Sequence, residues 1–175
     1  MLLDKIKVLY DQQTIRNRIQ TTADFISQDY ARAKEPIVLL CVLKGSVNFF
    51  SDLSLSLDMD VQYEFVGVSS YDGTESNRKP SLTLDLPNDL QNKHVIIVED
   101  IVDTGHTVKF LKDLINMQSP ASLKVCTLLS KQPCREVAVT PDYVVFEIDD
   151  IFVVGYGLDV DQKYRNLPCI GKYID

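Results

Sequence analysis

Apolar positions along the chain follow two periods in alternation. Ile15, Ile19, Thr22 and Ile26 recur at helical spacing behind Asp11, a good N-terminal cap, and predict a helix over 12–32. The run PIVLLCVL (36–43) is continuously apolar, as expected of a strand buried on both faces of a parallel sheet. After Lys44-Gly45, Val47, Phe50 and Leu53 outline a second helix. VQYEFVGV begins with period-two alternation at Val61, Tyr63 and Phe65, which predicts a strand with one polar face. SSYDGTESNRKP (69–80) is polar, turn-rich and aperiodic, the pattern of a mobile loop or lid, and SLTLDL reads as the strand returning from it.

HVIIV (94–98) is a second continuous aliphatic run. Beyond the DTGHT turn, Val108, Leu111, Leu114 and Ile115 form one helical face. LKVCTLL, YVVFEI and FVVGYGLD are three further strand candidates. Buried strands alternating with amphipathic helices predict a doubly wound α/β fold, its mostly parallel sheet flanked by helices. Ligands of such folds bind at the carboxyl ends of the strands. Lys44, the stretch from Glu99 to Thr107, and Lys131 each follow directly after an apolar strand, so their polar groups converge on one edge. With no internal repeat, low-complexity stretch or linker, the pattern describes one domain over 1–175.

Composition narrows the function. A 45% hydrophobic and 25% charged chain of 175 residues has the balance of a globular protein. Its net charge of -7 disfavours nucleic acid and anionic membrane as partners, so an anionic substrate needs a local basic site or metal ions. Cys41, Cys126, Cys134 and Cys169 form no CxxC pair and read as reduced, packed thiols of a cytoplasmic protein. MLLDKIKVLYD is interrupted by charge too early for a signal peptide, and no apolar run approaches membrane-spanning length.

The candidate chemistry lies in VIIVEDIVDTGHT (95–107). A carboxylate pair directly after a buried strand is costly unless cations or hydroxyl donors meet it. Glu99 and Asp100 can accept hydrogen bonds from a diol or help hold a hydrated metal ion. Standing alone, they would read as a surface acid pair. They are followed by two aliphatics and then Asp-Thr-Gly before a helix, where backbone N–H groups, the helix dipole and the Thr104 and Thr107 hydroxyls suit a phosphate. The P-loop spacing is absent, and GYGLDV lacks the third glycine of a dinucleotide fingerprint.

This stretch resembles the phosphoribosyl pyrophosphate signature of the type I phosphoribosyltransferases. Four further segments extend the resemblance to the hypoxanthine-guanine phosphoribosyltransferase family. LKGSVNFFSDL (43–53) is similar to its pyrophosphate loop and SSYDGT to its mobile hood. LLSKQP (128–133) resembles its purine-contacting strand end. PDYVVFEIDDIFVVGYGLD with YRNLPCIG resembles its base-clamping C-terminal segment, here about 150–175. The resemblance implies transfer of 5-phosphoribosyl from phosphoribosyl pyrophosphate to N9 of a 6-oxopurine, hypoxanthine or guanine, and a small hood formed by the N- and C-terminal segments and the mobile loop. It also implies a homodimer or homotetramer.

Residue by residue, the resemblance places the 5'-phosphate in the turn Asp103, Thr104, Gly105, His106 and Thr107, and assigns Asp103 as the general base toward purine N7. Glu99 and Asp100 face the ribose hydroxyls, which with pyrophosphate oxygens ligate one magnesium ion. Asp159 reaches a second through water and lies by the purine. Lys44, Gly45 and Arg165 bind pyrophosphate, with a cis peptide implied at Leu43–Lys44. Ser70 and Tyr71 close the lid. Lys131 donates to the 6-oxo group, Phe152 stacks on the base, and Val153 offers its backbone to the base edge. Three positions depart from the family pattern: His106 in the phosphate loop, Asp72 after the lid tyrosine, and Cys169 at an often aromatic position. The competing readings are a xanthine-guanine transferase and a non-catalytic regulator that senses phosphoribosyl pyrophosphate.

Overall fold

The structure is a computed structural model and describes residues 5–69 and 80–174. Its main sheet has six strands: β2 (Ile37–Leu43), β3 (Gln62–Ser69), β4 (Ser81–Leu84), β5 (His94–Val102), β6 (Ser122–Ser130) and β7 (Tyr143–Glu147). They lie in the order β4-β3-β2-β5-β6-β7, and only the β3–β4 pair is antiparallel. The aliphatic runs fall at its centre, where Val38–Cys41 and Val95–Val98 are fully enclosed. Helices α1 (Gln12–Tyr30) and α2 (Val47–Ser56) pack on one face, and α3 (His106–Asn116) covers the other. This is the predicted doubly wound architecture. Asp11 caps α1 as expected, its carboxylate accepting from the Thr14 N–H at 2.8 Å.

Two expectations need correction. Tyr63 and Phe65 do not form a buried strand face but stand 48% and 42% exposed. Their register partners Leu39 and Cys41 are buried beneath the helices, so the face is the expected one. Among the described residues, cover runs out toward the sheet edge, where Phe50 of α2 reaches both rings. FVVGYGLD is likewise not a strand of the main sheet. Only Val153–Val154 (β8) is extended, and it belongs to a second antiparallel sheet in the order β1-β9-β8, with β1 (Ile6–Tyr10) and β9 (Ile170–Tyr173). Positive φ values at Gly155, Tyr156 and Gly157 end β8 and turn the chain back. This small sheet is the hood. Tyr10 stacks on Phe146 of β7 at 4.0 Å between ring centroids, and the Tyr156 hydroxyl donates to Asp52 of α2 at 2.5 Å. All four cysteines are free thiols. The lid residues Ser70, Tyr71 and Asp72 lie outside the described residues.

Candidate active site

Strand β5 continues through the acid pair, so Glu99 and Asp100 point to opposite sides of it. Glu99 is buried next to Thr127 of β6. Burial and then the Asp100 charge push its pKa well above the ordinary carboxylate range. Burial pushes Asp100 up to about 6, against the Ile101 N–H that it accepts at 2.7 Å and the nearby Arg165 charge. Among the described residues, two buried side-chain polar atoms have no hydrogen-bond partner, Glu99 Oε2 and Arg165 Nε. Both belong to residues singled out from the sequence. Buried polar atoms in native proteins are nearly always satisfied, so these two stand out.

Three elements interlock here. A Cβ on Gly45 would fall on the Asp100 carboxylate, and a Cβ on Gly157 would fall on the Gly45 carbonyl. The loop after β2, the end of β5 and the hood turn therefore meet with no room for a side chain at either glycine. Lys44 follows a cis peptide at Leu43–Lys44, as expected, and its side chain is exposed. Arg165 spans the hood turn: Nη1 donates to the Gly157 carbonyl at 2.7 Å, and Nη2 lies 2.7 Å from Asp159 Oδ1. Its own carbonyl accepts from Asn48 of α2 at 3.1 Å. Asp159 also accepts from the Gln162 N–H at 2.8 Å. The expected pyrophosphate cation and the expected outer metal acid are thus one ion pair.

The Asp103–Thr107 turn leads into α3 through Gly105 at φ 89°, with no side chain capping the helix. Among the described residues, the N–H groups of Thr104, Gly105, His106 and Thr107 donate to no carbonyl or side chain. Four free donors at a helix start make an anion cradle. His106 is engaged with Glu136, Nε2 lying 2.9 Å from Oε2. The Lys131 side chain is only 9% exposed, with Nζ 3.6 Å from Asp103 Oδ2 and 3.4 Å from Asp150 Oδ1. Phe152 is 54% exposed, its only aromatic neighbour among the described residues being the edge of Tyr173. Val153 pairs with Lys172 of β9, and among the described residues β8 is an edge strand, with no neighbouring strand on the other side of its backbone.

A family model described as the phosphoribosyl transferase domain matches residues 6–161. The hypoxanthine phosphoribosyltransferase of Haemophilus influenzae is 41% identical over 171 residues, 97% of this chain and 96% of that one. This chain belongs to the hypoxanthine-guanine phosphoribosyltransferase family. The hypoxanthine-guanine-xanthine phosphoribosyltransferase of Tritrichomonas foetus is also 41% identical, over 98% of this chain and 93% of its own. Among solved structures, Trypanosoma cruzi hypoxanthine phosphoribosyltransferase in complex with the product IMP superposes with a TM-score of 0.90 at 40% identity. That alignment covers 97% of this chain and 95% of that one. Family membership agrees with the order of elements and with the hood.

Sequence reasoning missed Arg135, Glu136 and Asp150. Arg135 Nη1 donates to the Asp103 carbonyl at 2.7 Å and Nη2 to Ser130 Oγ at 3.1 Å. Burial lowers its pKa, partly offset by the Asp103 charge. Arg135 and Glu136 sit in an aperiodic, proline-containing stretch and Asp150 in the link between β7 and β8, and their partners are main-chain carbonyls or side chains elsewhere in the chain. No spacing in the sequence announces that.

Proposed function

We propose that this chain is a purine salvage enzyme, forming IMP and GMP by transferring the 5-phosphoribosyl group of phosphoribosyl pyrophosphate to N9 of hypoxanthine and guanine. The observation that carries the reading is the approach of Lys131 to Asp103 at 3.6 Å beside four free amides of the α3 turn. A donor for a 6-oxo group, an acceptor for a purine proton and a phosphate cradle stand together. In the reaction the N9 lone pair forms the bond to C1', the C1'–O bond to pyrophosphate breaks, and its electrons leave on pyrophosphate. Asp103 takes or shares the N7 proton. The Asp103–Thr107 turn holds the 5'-phosphate, Glu99 and Asp100 accept from the ribose hydroxyls, and Lys44, Gly45 and Arg165 hold pyrophosphate. Phe152 and Val153 clamp the base with Lys131 and Asp159, and Ser70 and Tyr71 close over the leaving group. Positioning and electrostatics supply the acceleration, without a covalent nucleophile.

Magnesium fits this donor set. A buried and a half-buried acid of raised pKa, one with an unpartnered oxygen, would be stabilised by a divalent cation that prefers oxygen ligands. Glu99, Asp100 and Asp159 would hold the ion together with oxygens of the substrate. When bound, the ion neutralises charge on the departing pyrophosphate. We place the enzyme in the cytoplasm as a homodimer or homotetramer with all residues in one domain. Among the described residues no helix is long and apolar enough to cross a membrane.

The test is a spectrophotometric transferase assay with phosphoribosyl pyrophosphate and, separately, hypoxanthine, guanine and xanthine. Magnesium-dependent product with hypoxanthine is expected. No product from any of the three bases would sink the proposal.

A further inference from the structure

Resting on that reading, a second layer stands behind the phosphate cradle. The segment after Lys131, a 3-10 turn at Gln132–Cys134 followed by Arg135–Val139, lies against the β5–α3 turn. Its grip is on carbonyls. The Lys131 N–H donates to the Val102 carbonyl at 3.0 Å. Arg135 donates to the Asp103 carbonyl at 2.7 Å. The Glu136 and Val137 N–H groups both donate to the Thr104 carbonyl, at 3.0 and 3.3 Å. A Cβ on Gly105 would press against Val137 Cγ2 and Arg135 Cδ, at 3.0 and 3.1 Å.

A trans peptide is planar, with its C=O and N–H pointing in opposite directions. Holding the Asp103 carbonyl toward Arg135 therefore turns the Thr104 N–H away from that segment. Holding the Thr104 carbonyl does the same for the Gly105 N–H. Neither N–H has a protein partner among the described residues. We infer that Arg135 is a positioning residue for the transfer reaction, fixing the Asp103–Thr104 peptide so that the amides aim at the 5'-phosphate and the Asp103 carboxylate at the base. Because the segment grows directly from Lys131, it ties the purine contact to the phosphate contact. The guanidinium is suited to this, since its planar fork spans the Asp103 carbonyl and Ser130 Oγ at once.

The experiment compares wild type, Arg135→Ala and Arg135→Lys. Ribose 5-phosphate affinity is read by calorimetry, KM for each substrate and kcat by steady-state kinetics, and folding by thermal melting. In Arg135→Ala we expect ribose 5-phosphate affinity to fall tenfold or more, the KM for phosphoribosyl pyrophosphate to rise more than that for hypoxanthine, and added guanidinium to restore part of kcat. If the alanine variant does not fold, Arg135→Lys carries the test. Its ammonium keeps the charge but cannot span both partners, so a loss of threefold or more in ribose 5-phosphate affinity is expected. Ribose 5-phosphate affinity within twofold of wild type in a folded variant overturns the inference. The two proposals separate cleanly: a wild type that binds ribose 5-phosphate but transfers nothing defeats the proposed reaction, and the binding comparison still decides the role of Arg135.

Discussion

Asp103 and Lys131 stand 3.6 Å apart and serve neighbouring groups on one edge of the purine in the proposed reaction, N7 and the 6-oxo oxygen. An ammonium has three donors. Asp103 and Asp150 lie within reach of two of them, and a third remains for a 6-oxo group. Replacing Lys131 with alanine should raise the purine KM much more than the KM for phosphoribosyl pyrophosphate, because a site built around one hydrogen bond loses most where that bond is unmade. Equal rises in both constants would count against a purine contact. Asp103→Asn keeps the shape and the main-chain carbonyl that Arg135 holds, but removes the proton acceptor. Turnover should drop by roughly 10²–10⁴, with the KM for phosphoribosyl pyrophosphate changed by about a few-fold. Near-normal turnover would free Asp103 from the role. At this scale the positions of Glu99 and Asp100 on a buried strand, and of Asp103 and Lys131 just past strand ends, were legible because polar residues stand out against apolar runs. The sequence was silent where a side chain serves the main chain of another segment, as Arg135 does.

Among elements, the long aliphatic runs were readable because burial on both faces leaves a continuous apolar signal, and α1 because its cap and period agree. The hood was harder to see. β1 and β9 each span five residues or fewer and lie at opposite ends of the chain, so their pairing depends on contacts that no local window contains. The turn after β8 is legible only in retrospect, through its glycines. Gly157 adopts φ 107°, and a Cβ there would meet the Gly45 carbonyl. Gly157→Ala should therefore strain the hood turn by about 1–3 kcal/mol and displace the Lys44–Gly45 loop. The expected outcome is a lowered Tm together with a kcat/KM reduced by roughly tenfold or more, since about 1 Å of misplacement can cost about a hundredfold. A variant that melts early but turns over normally would show that the hood does not set the pyrophosphate loop.

For the whole molecule the unusual energetic feature is the acid pair at the centre of a protein of net charge -7. Burial raises the pKa of both Glu99 and Asp100. Between the ordinary carboxylate range and those raised values the folded state binds more protons than the unfolded chain. Stability therefore declines as pH rises through this window and levels off above it. Asp11, Asp29 and Glu35 have lowered pKa values and act in the opposite sense, losing their contribution as pH falls. The pair can be isolated by Asp100→Asn, which preserves size and can still accept the Ile101 N–H. A carboxyl moved from about 4 to about 6 corresponds to a ceiling of roughly 3 kcal/mol. The variant should melt higher than wild type at pH 8, by about 2–4 °C for each kcal/mol recovered in a chain of this length, and nearly level with it at pH 4. Transferase activity should fall in the same variant, because in the proposed reaction the same charge accepts from the ribose hydroxyls. Parallel melting curves from pH 4 to 8 would show that neighbouring groups already compensate Asp100, and the destabilisation argued for its charge would fall with them.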